Sequence, residues 1–116
     1  VDTPLAMPHD HRLVELCTML LNEPDLSGTV CDWCRQIGMS ERTLARLFQK
    51  QTGESFGRWR RKLRLHYAME RLNAGDPVTS VAMACGYHSV SSFIAVFKKV
   101  LGTTPGRVLR EAGKET

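Results

Sequence analysis

Arg42 and Arg46 stand four residues apart, and on a helix that spacing puts both guanidinium groups on one side, one turn from each other. Each fork can bond two neighbouring acceptors, the pattern a guanine edge offers in a DNA major groove. Thr43, Ala45 and Gln49 are left for the same surface once Leu44, Leu47 and Phe48 are assigned to a core, and Lys50 falls nearer phosphate. Other constellations compete with this one. Cys31-Asp-Trp-Cys34 and Cys85-Gly-Tyr-His88 have the spacing of two halves of a zinc site, and a cysteine can also act as a redox sensor. His9, His11, His66 and His88 show no spacing for a base beside a nucleophile, so no catalytic residue is assigned and no enzyme is expected. Arg58 to Arg64 places five cations in seven residues, either a solvated helix face or one turned to phosphate. An anionic membrane surface is the more distant reading, because Trp59 and Leu63 in that run are needed for a core.

The elements that must hold these residues are helices. Gly and Pro punctuate the chain, and the segments between them repeat their apolar residues every 3.6 positions without strand alternation, so the fold is expected to be all-α. A first helix starts near Pro8 to Asp10, with Asp10 as its cap; it buries Leu13, Leu16, Cys17, Leu20 and Leu21 and ends at Pro24. A second spans about Thr29 to Ile37, with Gly38 as the left-handed residue after it. Ser40, Glu41 and Arg42 open a third that stops at Thr52-Gly53, and Ser55 caps a long fourth to about Asn73, with Phe56, Trp59, Leu63, Tyr67 and Leu72 available for burial. Val78 to Cys85 forms a short helix ended by Gly86. Ser89 caps the next, with Phe93, Val96, Phe97 and Val100 inward and Gly102 at its end. Pro105 suits the first turn of a last helix to about Ala112.

A weak internal repeat with an offset of 48 or 49 decides between the readings. Gly38 answers Gly86, and Leu44, Phe48, Lys50 and Gly53 answer Phe93, Phe97, Lys99 and Gly102, with one extra residue in the second turn. Two copies of helix, Gly-containing turn and helix are thus joined by the long basic helix, too few copies for a stacked array. The repeat also argues against zinc. Cys34 answers Ala82 and Cys85 answers Ile37, small or apolar core positions, so no metal or other cofactor is expected and the cysteines are read as reduced and buried. Helix-turn-helix units brace one helix and lay the next in the major groove. The candidate recognition helices are 40 to 51 and 89 to 101. On the second, Val90, Ser91, Ser92 and Ala95 face outward without an arginine, suited to thymine methyls and serine donors rather than guanine. Lys98 and Lys99 add phosphate affinity, and amides at the starts of both helices and after Thr104 are natural phosphate ligands.

Charge agrees with a polyanionic partner. The 116 residues carry 16 Lys plus Arg against 12 Asp plus Glu, a net +4 and a pI of about 9.1. No membrane span or signal peptide is read, and double-stranded DNA in a cytoplasm is the expected setting.

Gly-Met-Ser-Glu-Arg-Thr-Leu (38 to 44), Arg-Leu-Phe (46 to 48), Lys-Leu-Arg-Leu (62 to 65), Val-Ala (81 and 82), Gly-Tyr-His-Ser-Val-Ser-Ser-Phe (86 to 93), Phe-Lys-Lys (97 to 99) and Gly-Thr-Thr-Pro (102 to 105) stand together here. With them the sequence resembles the C-terminal DNA-binding domain of the AraC/XylS family of bacterial transcription regulators over about residues 9 to 111. The resemblance implies seven helices and two helix-turn-helix subdomains, at 9–54 and 75–112, joined by a linking helix at 55–74. It implies base reading by Arg42, Ala45 and Arg46, then by Val90, Ser91, Ser92 and Ala95; Thr43 and Gln49 join them from the outward face of the first recognition helix. Ser40, Lys50, Arg64, Ser89, Lys98 and Lys99 are the expected phosphate contacts. Residues 1–8 resemble the tail of a linker from an N-terminal effector or dimerisation domain, 113–116 form a tail, and RNA polymerase is an implied partner. Trp33-Cys34 departs from the family's usual Leu-Ala in the bracing helix.

Overall fold

The computed structural model describes residues 5–23 and 28–114 of the chain; the helix stop expected at Pro24 lies outside them. Among the described residues there are seven helices and no strand: α1 (His11–Asn22), α2 (Val30–Ile37), α3 (Glu41–Thr52), α4 (Phe56–Asn73), α5 (Val78–Ala84), α6 (Val90–Leu101) and α7 (Pro105–Lys114). The chain divides into two compact units, and the division falls inside α4, between Leu63 and Arg64.

Local chemistry sets the helix ends. The Asp10 carboxylate accepts from the amide of Arg12 at 2.9 Å at the start of α1. Thr29 and Asp32 form a reciprocal capping box on α2, Thr29 Oγ1 accepting from the Asp32 amide at 3.2 Å and Asp32 Oδ2 from the Thr29 amide at 3.0 Å. Ser55 Oγ accepts from the amide of Arg58 at 3.2 Å before α4, as expected. Both carboxylates titrate below the ordinary value, Asp10 chiefly through its side-chain bond to Arg12 and Asp32 through the Thr29 amide. A depressed folded-state pKa gives stability that is present above about pH 4 and is lost as pH falls through the lower folded value. Melting temperatures followed from pH 6 to pH 2 are therefore expected to fall below about pH 4. The fall should be shallower in the Asp10→Asn, Asp32→Asn double variant, and equal slopes would remove the caps from the account.

In the first unit α1, α2, α3 and the start of α4 enclose Leu13, Leu16, Cys17, Leu20, Trp33, Cys34, Ile37, Leu44, Phe48, Phe56, Trp59 and Leu63. Phe48 is its hub, with ring centroids 5.3 Å from Phe56 and 5.7 Å from Trp59, both edge-on. Three hydrogen bonds tie the segment before α1 to this unit. Gln51 Oε1 accepts from the amides of His9 and Asp10 at 2.7 and 3.0 Å, and the Trp59 indole donates to the Ala6 carbonyl at 2.9 Å. Leu21, expected inside, is 43% exposed: it lies in the last turn of α1, at the margin of the stripe formed by Leu13, Leu16, Cys17 and Leu20.

The second unit is built on the remainder of α4. Leu65, Ala68 and Leu72 join Val81, Ala82, Cys85, Phe93, Phe97, Leu101 and Val108, with Tyr67, Val96 and Val100 half-buried against them. At the end of α4 the Arg71 Nε donates to Asp76 Oδ2 at 2.8 Å.

Candidate nucleic-acid interface

The two helix pairs α2–α3 and α5–α6 are built alike from the turn onward. Gly38 (φ 72°) and Gly86 (φ 82°) turn the chain through the left-handed region that a side chain resists. In each turn the next amide reaches back five residues, Met39 to the Cys34 carbonyl at 3.0 Å and Tyr87 to that of Ala82 at 3.1 Å. His88 is the extra residue of the second turn. Ser40 Oγ then accepts from the Thr43 amide at 3.1 Å and donates to Thr43 Oγ1 at 2.9 Å. Ser89 does the same with Ser92, at 3.1 Å and 2.9 Å. Leu44 and Phe48 face one core, Phe93 and Phe97 the other, and Gly53 and Gly102 end the second helices.

This framework leaves one face of α3 open. Arg42, Ala45, Arg46, Gln49 and Lys50 are exposed, and Thr43 is half-exposed with its hydroxyl taken into the cap. The open face of α6 carries Ser91, Ser92, Ala95, Lys98 and Lys99, all exposed, with no acidic residue anywhere on the helix. Ser40 and Ser89 are exposed as well, but each spends its hydroxyl on its own helix, so their phosphate role would pass to backbone amides. Lys50, Lys98 and Lys99 sit in last turns, where the helix dipole already favours a cation. Val90, expected to read bases, is half-buried and packed against the second core. Ile94 is a large apolar residue 37% exposed on α6 that the sequence reading passed over. The signal was present: at the offset of 49, Ile94 answers Ala45 and Lys98 answers Gln49, whereas Val90 answers Glu41.

The basic run from Arg58 to Arg64 does not form one cationic face. Arg60 lies over the Trp33 ring at 4.4 Å, and Lys62 pairs with Glu54 at 2.8 Å, both within the first unit. Arg58 and Arg61 are exposed, while Arg64 is half-buried, its guanidinium carbon 4.0 Å from where a Cβ on Gly86 would sit, beside the α5–α6 turn.

Cys34 is a member of the first core and Cys85 of the second, where its thiol lies 3.5 Å from the Arg64 carbonyl oxygen. Burial pushes the Cys34 thiol up, with smaller contributions from Glu41 and Cys31, and pushes that of Cys17 up to about 12. Among the described residues no three His, Cys, Asp or Glu side chains group as metal ligands, and no helix is long and apolar enough to cross a membrane.

Two braced helices, each followed by a tight turn and a second helix with a free polar face, define a double helix-turn-helix domain. The chain belongs to the helix-turn-helix domain family in its AraC/XylS type, the family matching residues 33–111. It is 46% identical over 98 residues to the HTH-type transcriptional regulator NimR of Escherichia coli (strain K12), an alignment covering 84% of this chain and 36% of that protein. The chain thus spans about a third of the length of the curated relatives it matches. A crystal structure of an AraC-type transcriptional regulator from Chromobacterium violaceum shares the fold with TM-score 0.80 at 22% identity, covering 88% of this chain and 92% of that one. The DNA-binding domain of AdpA, a global transcriptional factor crystallised in complex with a target DNA, is 26% identical with TM-score 0.75, covering 84% of this chain and 89% of that one. These three are transcription regulators, and this chain is a helix-turn-helix domain, not an enzyme.

Proposed function

We propose that the chain binds double-stranded DNA in a sequence-specific way and regulates bacterial transcription in the cytoplasm, with α3 and α6 as recognition helices in successive major grooves. The observation that carries this reading is the open face of α3. Arg42, Ala45, Arg46 and Gln49 project from a helix whose cap is closed by Ser40 and whose core is closed by Leu44 and Phe48, and among the described residues no ion pair occupies the two arginines. Relatives that are transcription regulators, one of them crystallised on its target DNA, support it. Base reading falls to Arg42, Thr43, Ala45, Arg46 and Gln49 on α3 and to Ser91, Ser92 and Ala95 on α6, whereas Val90, packed against the second core, is left to the fold. Phosphate contact falls to Lys50, Arg64, Lys98 and Lys99 and to the caps at Ser40 and Ser89. RNA polymerase and an N-terminal effector or dimerisation domain complete the proposed set of partners.

The test is selection of bound duplexes from a random library, followed by footprinting on the winner. Protection of two grooves about 34 Å apart is the expected result, and a bound pool no less random than the input would overturn the reading. A smaller effect is expected at Lys98, exposed on the last turn of α6. Lys98→Ala should weaken binding to selected and random duplexes alike and lower the slope of log affinity against log salt by about one unit. An unchanged slope would take Lys98 off the phosphates.

A further inference from the structure

We infer that Ile94, and not Val90, is the side chain through which α6 recognises a thymine methyl group; the inference rests on the DNA-binding reading above. The register of α6 against α3 is set by matched bonds rather than by alignment. Ser40 with Thr43 and Ser89 with Ser92 make the same pair of hydrogen bonds, the buried pairs Leu44 and Phe48, Phe93 and Phe97 follow at the same steps, and Gly53 and Gly102 close both helices. Every one of these pairs is separated by 49 residues. Position 94 is therefore the counterpart of position 45, in the second turn of the outward face, and position 90 the counterpart of position 41, the first residue of the helix.

The two candidates differ in what else they do. Val90 is half-buried and its methyls pack against the second core. Ile94 is 37% exposed and belongs to neither core cluster, so its burial is not what keeps the fold together. Its neighbours on the open face are Ser91, Ala95 and Lys98, and α6 carries no acid, so the surface around this isoleucine suits a polyanion. The apolar feature that a major groove offers to such a side chain is the C5-methyl group of thymine.

The test uses the 116-residue chain and duplexes selected with it from a random library. A thymine should be enriched in the half of the site whose selection survives Arg46→Ala. Replacing that dT by dU removes the methyl alone and should weaken wild-type binding about three- to tenfold. Ile94→Ser should lose the same factor on dT and nothing further on dU, the non-additivity of two groups in contact, while Ile94→Val keeps most of the discrimination. Val90→Ala should discriminate dT from dU as the wild type does. The melting temperature of Ile94→Ser should match that of the wild type, which separates lost contact from lost fold. Full dT/dU discrimination in Ile94→Ser, or its loss in Val90→Ala, overturns the inference. Enrichment in one half with no thymine in the other overturns it too, yet leaves DNA binding standing. A bound pool without enrichment in either half overturns both.

Discussion

Replacing Arg46 with alanine is expected to weaken binding to the selected duplex about tenfold to a hundredfold while changing affinity for random duplexes by less than about threefold. Arg46 is exposed on α3 one turn from Arg42, and among the described residues no carboxylate pairs with either. A guanidinium with no partner among the described residues would reach the proposed groove with its donors unspent. A bidentate bond to guanine is worth about 1 to 3 kcal/mol against the wrong base, a contribution that vanishes on random sequence. Arg46→Lys should recover charge but not preference, since an ammonium lacks the planar fork. Competition titrations with selected and random duplexes measure both quantities. Equal losses on the two would place Arg46 on phosphate and transfer base reading to its neighbours.

The second large effect is on stability. Phe48→Ala should cost the first unit about 3 to 5 kcal/mol, lowering its melting temperature by at least about 12 °C. Phe48 is wholly buried and its ring meets those of both Phe56 and Trp59, so truncation leaves a cavity in the first core and removes two edge-on aromatic contacts. Since α3 is held to its core by Leu44 and Phe48, the face proposed to read DNA should be lost with it. Phe93 and Phe97 belong to the second core, whose amides should keep their hydrogen-exchange protection. Thermal melts with exchange read by NMR would show this. A uniform loss of protection in both units would mean that they unfold as one.

Helix ends were legible because caps are written in adjacent residues. Asp10, Ser40, Ser55 and Ser89 each cap the helix expected of them, and Gly38 and Gly86 mark the turns. The buried face of α4 was legible only in part. Phe56, Trp59 and Leu63 fit one stripe, but Leu65 and Ala68 serve the second core, and a single 3.6-residue period cannot describe a helix that changes the core it faces. The cations of the same helix misled for a related reason: net charge says nothing of which side chains are already engaged, and Arg60 and Lys62 are, by Trp33 and Glu54. On α6, Ile94 escaped because the sequence reading puts Val90, Ser91, Ser92 and Ala95 outward, whereas the repeat register, already visible in Gly53 and Gly102, pairs Ile94 with Ala45 and Val90 with Glu41.

The closed caps of α3 and α6 bear on how such a domain can change over generations. Ser40, Leu44, Phe48 and Gly53 fold α3 and have no part in the proposed reading; Arg42, Ala45, Arg46 and Gln49, the proposed readers, neither hold a cap nor fill the core. Substitutions on exposed faces free of such duties usually stay within about 0.5 kcal/mol of neutral. New operator preferences can therefore be sampled by drift at positions 42, 45, 46 and 49 with the scaffold intact, so that divergence in target should outrun divergence in fold.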